Sequence, residues 1–274
     1  MKKYNKIFWT VCASIAGVGL LFVMIGFLTG ARISDFKEQF AYGLTISDLG
    51  FEGNYKDGES KQFEGVTEID IDVDANKVEI LPHDKSYVEV IVQNYNDQQR
   101  VLAELDGTEL QIKSRVHQWN DVVGPNSTIK IYLPKDVVFK EIDIDLSTSE
   151  LLAENIRAKK ITLSIGAGRA ELNSLDVDEF SLDNGVAETE ITNLKVRDGQ
   201  VECGVGKVKM DIIGKQEDYN YEYSVGIGSI SIGDDKYSGL AGEQKVDNNA
   251  NQELSFECGI GDIKVTFSKI EGRN

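Results

Sequence analysis

One pattern returns at a fixed interval through the second half of this chain, and it limits the fold more than any other feature. Six segments share it: IDIDLSTSELL from Ile142, ITLSIGAGRAEL from Ile161, FSLDNGVAETEI from Phe180, QVECGVGKVKM from Gln200, YEYSVGIGSISI from Tyr221 and LSFECGIGDIKV from Leu254. Aligned on the first position of a Gly-x-Gly element, they bring Ser147, Gly166, Gly185, Gly204, Gly226 and Gly259 into register, at intervals of 19, 19, 19, 22 and 33 residues. IDVDANKVEIL near Ile71 fits the same template with Asp74 at that position. A period near 20 residues marks a solenoid or stacked array.

Within one repeat the pattern is that of a strand, a bend and a second strand. Apolar residues stand two apart before the bend, as in Leu163 and Ile165, Val201 and Cys203, Tyr223 and Val225, Phe256 and Cys258. They return after it, as in Ala170 and Leu172, Val208 and Met210, Ile230 and Ile232, Ile263 and Val265. The residue between the glycines is small or apolar: Ala167, Val186, Val205, Ile227, Ile260. Polar and charged residues fill the other face. Glycine suits such a bend because it accepts positive φ and lets another backbone come close. The candidate bend positions are Gly166, Gly168, Gly185, Gly204, Gly206, Gly226, Gly228, Gly259 and Gly261. Two rungs depart from the pattern, at Ser147-Thr148-Ser149 and Gly185-Val186-Ala187. One repeat cannot bury its own apolar face, whereas stacked repeats share a continuous core. The 33-residue interval contains GDDKYSGLAGEQKVDNNANQE, which reads as an inserted surface loop. Cys203 and Cys258 hold equivalent inward positions with the Gly226 repeat between them. In a stack that follows sequence order their Cα atoms would lie about 9.6 Å apart, too far for a disulfide, and both read as small buried apolar residues.

Upstream, the apolar period becomes two at Val66. Ile69, Ile71 and Val73 alternate with Glu68, Asp70, Asp72 and Asp74, the pattern of a strand with one wet face. VEILP, YVEVIVQ, ELQIKSRV and TIKIYLP continue it, with the loop HQWNDVVGPNS before the last. Residues 31–65 read as a juxtamembrane linker, rich in glycine and charge around FEGNYKDGES.

At the other end, Ile7 to Thr29 carries no charged residue. As a helix this segment would reach about 34 Å, enough to cross a hydrocarbon core of about 30 Å. Lys2, Lys3 and Lys6 precede it and Arg32 and Asp35 follow, which places the N-terminus in the cytoplasm and residues 32–274 outside. A cleaved signal peptide is the rival, with Thr29-Gly30-Ala31 as a passable site, although its apolar core is usually about 7 to 15 residues. Cys12 lies too early in the span for a lipoprotein cysteine. The expected organisation is a tail and anchor over 1–30, a linker over 31–65, a β-repeat ectodomain over 66–268 and a short tail over 269–274.

These segments, in this order, resemble the putative-adhesin family of bacterial envelope proteins with β-strand repeats, a family of unknown function. The matching stretches are VTEIDIDVDANKVEILPHDKSYVEVIV, TIKIYLPKDVVFKEIDIDLSTSELL and the Gly-x-Gly rungs, over roughly residues 66–268. The resemblance implies an all-β, single-stranded, β-helix-like solenoid, a cell-surface location and an adhesive role. It also implies a link to envelope-stress regulators, and it offers no functional residues to carry over.

The residues give little chemistry. Beyond residue 30, 46 acids face 26 bases, a net charge of −20. That disfavours nucleic acid and anionic lipid as direct partners. His83 and His117 are the only histidines, and neither has a second ligand at metal spacing. The Asp runs at 68–74 and 141–145 space carboxylates about 6.8 Å apart along one wet face, which suits a solvated strand better than a calcium cage. SIGAGRAEL lacks the Gly-Lys-Ser/Thr ending of a phosphate loop, and no nucleophile elbow appears. Asn126-Ser127-Thr128 is a glycosylation sequon, and Trp119 is the best candidate for a contact aromatic, although it reads more readily as a core cap. The chain is therefore expected to be no enzyme and to need no cofactor, metal or small-molecule substrate. Two roles remain. One is a membrane-anchored, adhesin-like binding module for an unknown protein or cell-wall polymer. The other is a regulatory or scaffolding partner of other membrane proteins. A contiguous apolar or aromatic patch on the outward face is the feature that discriminates them.

Overall fold

The computed structural model describes residues 55–93, 99–116 and 127–268. The expected membrane span, the loop holding His117 and Trp119, and the tail 269–274 lie outside the described residues. Among the described residues, no helix is long and apolar enough to cross a membrane. The chain divides into two units, Met1–Gly50 and Phe51–Asn274. The second is all-β.

Its strands are β1 (Ser60–Phe63), β2 (Glu68–Val73), β3 (Asn76–His83), β4 (Val88–Gln93), β5 (Gln99–Asp106), β6 (Glu109–Val116) and β7 (Ser127–Pro134). These are followed by one extended run, β8 (Phe139–Ile213), then a 3-10 turn at Gln216–Asp218, β9 (Tyr219–Ile232), β10 (Asp235–Val246) and β11 (Gln252–Ser268). Alternation sets the inward face. In β2, Ile69, Ile71 and Val73 are buried while the acids between them are half-exposed. Along β8 the alternation breaks three times in each 19-residue turn, and each break is a corner. One lies at the glycine element. A second lies at Asn155, Ser174 and Asn193, left-handed residues with φ of 53°, 61° and 54°, spaced 19 apart. The third is a pair of successive exposed charges, Lys159-Lys160 in one turn and Asp178-Glu179 in the next.

Pairing between turns is parallel and in register, and that register can be followed through the stack. β6 and β7 form one rung. β2 lies on β6 and β3 on β7, and the first turn of β8 lies on both β2 and β3. At the glycine corner the carbonyl of each rung occupies the space that a Cβ on the next would need. A Cβ on Gly166 would meet the Ser147 carbonyl oxygen at 2.6 Å, one on Gly185 that of Gly166 at 2.7 Å, and one on Gly204 that of Gly185 at 2.8 Å. The second glycine of each pair also has positive φ, 152° at Gly206 and 142° at Gly228, where a side chain would be strained as well as crowded.

The two rungs without the full motif close the same corner with polar side chains. Ser149 donates its hydroxyl to the Asp74 carbonyl at 3.1 Å and accepts from the Asn76 backbone N–H. In the other rung, fully buried Asn184 donates to the Ala187 carbonyl at 3.0 Å and accepts from the Thr189 hydroxyl at 2.7 Å.

Three sequence expectations need correction. The folded part begins before Val66: Tyr55 is 1% exposed, and β1 pairs with β4 in the stretch read as linker. SKQF has no apolar alternation, so only backbone pairing reveals it as a strand. The stretch read as a surface loop contains β10, which runs antiparallel along β9. Finally, the stack does not follow sequence order. β11 lies between the last turn of β8 and β9, parallel to both. Cys258 is therefore directly opposite Cys203 on the adjoining rung, with no rung between them. Both thiols are free and buried, and burial raises both pKa values, that of Cys258 to about 12.

Antiparallel strands close both ends of the parallel stack, as repeat arrays require. β4 and β5 cover β7 and β6 at one end, and β10 covers β9 at the other.

Two measurements check this account. Gly259→Ala puts a methyl 2.7 Å from the Gly204 carbonyl oxygen, which backbone cannot yield, whereas Gly199→Ala meets only a movable Leu254 methyl. Urea unfolding should show Gly259→Ala destabilised by about 1–3 kcal/mol and Gly199→Ala by clearly less. The register also sets Asp70 beside Asp143. Burial raises the Asp70 pKa, and Asp143, Glu109 and Asp72 add to the rise against Lys113. Its ionised form therefore opposes folding at neutral pH, and that penalty disappears as pH falls through the raised pKa. Asp70→Asn should raise the melting temperature at pH 7, and the two proteins should converge in acid.

Candidate interaction surface

The in-register ladder does to side chains what it does to backbone: equivalent positions become neighbours about 4.8 Å apart. At the glycine corner this gathers the residues between the glycines. Val186, Val205, Ile260, Ile227 and Leu240 are 62, 45, 51, 52 and 72% exposed. They follow one another in space. Ile260 lies opposite both Val205 and Ile227, and Leu240 of β10 lies opposite Ile227. Half-buried Ala167 begins the row. Two other large hydrophobics, Leu105 and Val138, are exposed among the described residues, so the exposed apolar side chains concentrate on this ridge. They face water because the corner has two successive outward positions.

The flanks are polar. On one side stand Asp183, Glu202, Glu257 and Glu243, all exposed. On the other, Lys207 lies opposite Asp262, and Ser229 donates its hydroxyl to Asp262 at 2.5 Å. An aliphatic ridge bordered by charge is a shape for contact, with no group on it able to act as a nucleophile or base. Sequence reasoning identified the residues between the glycines as small or apolar. It did not see that they point outward, because period two assigns faces within a strand and says nothing at a corner.

A partly buried polar cluster holds the cap strand in place. Tyr221 donates to the Asp235 carboxylate. Gln216 donates to the Tyr221 hydroxyl at 2.7 Å and accepts from the Asp234 backbone N–H at 3.0 Å. This ties the start of β10 to β9 and to the 3-10 turn. Below it, Tyr219 donates to the Val196 carbonyl at 2.8 Å. Burial raises the pKa of both tyrosines to about 12.

Other residues weighed in the sequence have structural partners. His83 is 2.7 Å from the Tyr87 carbonyl through Nε2 and packs edge-on to the Tyr87 ring. The Asp run of β2 is bridged by Arg115, whose guanidinium binds Asp72 and lies 3.9 Å from Asp74. Among the described residues no group of three or more His, Cys, Asp or Glu side chains is placed to hold a metal ion. A groove of about 700 Å³ runs across the rungs near Phe180 and Leu254, with Lys160, Glu179, Lys245 and Glu253 on its walls. Asp198, Glu222 and Asp247 also line it, so its walls are mainly acidic, yet no three of its carboxylates are placed to hold a metal ion.

Residues 66–273 match the family model described as Toastrack DUF4097. No curated protein matches the chain. Among solved structures, it is similar to a putative cell adhesion protein from Clostridium sporogenes, 15% identical over 77% of this chain and 98% of that chain, with a TM-score of 0.43. It is also similar to a putative adhesin from Parabacteroides distasonis, 12% identical over 77% and 94%, TM-score 0.33. A putative lipid binding protein from the same organism is 15% identical over 79% and 97%, TM-score 0.33.

Because the folded state holds Tyr219 and Tyr221 protonated, their contribution is complete below pH 10 and is lost as pH rises through about 12. Unfolding followed by circular dichroism should set in over that interval. Tyr219→Phe should move it to higher pH, at some cost to stability at neutral pH from the lost Val196 hydrogen bond.

Proposed function

This chain belongs to the Toastrack DUF4097 family, and on that premise we propose that it is a non-catalytic binding module, anchored in a membrane by residues 7–29 and acting on the outer side. The contact face is the aliphatic ridge of Val186, Val205, Ile260, Ile227 and Leu240. The observation that carries this reading is the concentration of exposed apolar side chains in that one row. Contiguous apolar patches rimmed by charge mark sites of protein or membrane contact. The net charge of −20 beyond residue 30 opposes an anionic lipid surface and leaves protein as the favoured partner.

The makeup of the ridge bears on the choice between adhesin and scaffold. Its side chains are aliphatic, with no aromatic ring to stack on a sugar. That favours the second role, a scaffold that meets other membrane proteins, over capture of a wall polymer. The anchor would hold such a module within reach of neighbours in the same membrane.

The test is cross-linking on intact cells with a C-terminally tagged full chain, comparing wild type with a Val205→Ser, Ile260→Ser, Ile227→Ser variant. Capture of membrane-protein partners should fall about tenfold or more, while the melting temperature stays within a few degrees, since all three side chains are exposed. Unchanged capture would show that the ridge is not the contact face. Capture of wall polymer instead of protein would restore the adhesin reading. A tag shielded from added protease on cells with permeable walls would overturn the topology.

A further inference from the structure

We infer that β10 pairs with β10 of a second copy of this chain, joining two stacks end to end through a twofold axis between Gly239 and Leu240. The inference begins with an open edge. β10 is twelve residues long and pairs with β9 along one side; among the described residues nothing lies along the other. The Leu240 carbonyl accepts from the Tyr237 hydroxyl at 3.0 Å, a side-chain bond that a partner strand would have to exchange or tolerate; an unpaired edge of that length is a template for another strand. At the opposite end of the stack the terminal strands are shorter, four residues in β1 and eight in β5.

Side-chain phase then selects the register. Asp235 and Tyr237 lie opposite the buried Ile232 and Ile230, so they belong to the inner face. Beyond the corner, Gly242, Gln244 and Val246 lie opposite buried Val225, Tyr223 and Tyr221 and also belong to it. The phase has shifted by one residue between the two halves. Self-pairing that keeps inner residues against inner residues therefore needs its axis between two residues, not through one. Near the corner there are two choices. An axis between Leu240 and Ala241 sets Lys236 against Lys245 of the second copy. An axis between Gly239 and Leu240 sets Lys236 against Glu243 and Asp234 against Lys245, each twice by symmetry. These four side chains are all exposed, and only the second choice pairs opposite charges. Lys245 already lies 3.3 Å from Glu222 of its own chain with its side chain 76% exposed, so it can bridge both carboxylates. The same axis brings the two Leu240 side chains, the most exposed of the ridge, to the junction and makes one ridge from two. A twofold contact of this kind uses the same patch on both partners.

Each copy carries a net charge of −20 beyond residue 30, so long-range repulsion opposes the contact and salt should favour it until the local pairs are screened. The test is sedimentation equilibrium of the full chain in detergent micelles at moderate salt. Wild type should show a concentration-dependent monomer–dimer equilibrium. Lys236→Glu, which sets two like pairs against each other, should raise the dissociation constant about tenfold or more. Lys236→Glu combined with Glu243→Lys should restore it. Thermal unfolding of each variant, expected to be unchanged, separates lost pairing from lost folding. A wild type that stays monomeric at every concentration would overturn the inference. So would a dimer indifferent to Lys236→Glu, which would point to association elsewhere, such as the apolar segment 7–29. Failure here leaves the ridge proposal standing, since the substitutions lie off the ridge.

Discussion

Close parallel approach of successive turns governs this structure. At the glycine corner one rung's carbonyl oxygen stands where the next rung's Cβ would be, with hypothetical separations of 2.6–2.8 Å at the first glycine of each pair. Such a stack admits a side chain at that position only if the backbone moves apart, and moving apart would break the parallel ladder on both adjoining faces. Asp74 and Ser147 carry side chains at that position, just past the end of the β2–β8 ladder at Val73 and Leu146, and the Gly185 rung replaces only its second glycine, by Ala187. In the rungs with Ser149 and Asn184 the corner is closed by side-chain hydrogen bonds to backbone carbonyls, and the polar groups they bury are satisfied.

The same register forces like residues together. Asp70 meets Asp143 and Asp72 meets Asp145, a repulsion that Arg115 partly relieves on one flank. At the corner itself, the same rule builds the aliphatic ridge. A charge ladder and an apolar ladder are thus products of one cause, repetition at the period of the stack. The ridge is the product that water does not favour, which is why it carries the functional reading.

The insertion of β11 between β8 and β9 gives the molecule a long-range dependence that a sequential solenoid lacks. The last of the described strands supplies the central member of the C-terminal half of the stack, with Phe256, Cys258, Ile263 and Val265 buried in the shared core. The turn before β11 is pinned: Asn220 accepts from the backbone N–H groups of Asn248 and Ala250, and Asn248 donates to the Tyr219 carbonyl at 2.7 Å. Pairs so distant in sequence are a source of slow folding.

The sequence by itself determined the all-β class, the 19-residue period, the inward sets such as Leu163 and Ile165, and the rung occupied by Asp74, which lies beneath Ser147. These follow from local rules: period two assigns faces, glycine recurrence marks corners, and repetition implies stacking. Tertiary structure alone decided the order of the rungs, because the turns share one apolar pattern and nothing local in the sequence says which turn lies on which. That choice put Cys258 against Cys203 and turned an apparent loop into β10, whose residues alternate too weakly to be read as a strand. It also decided which apolar residues face water. Val205 and Ile260 carry the same hydrophobic signal as Val201 and Phe256, and they differ only in standing at a corner where the chain turns its next side chain outward.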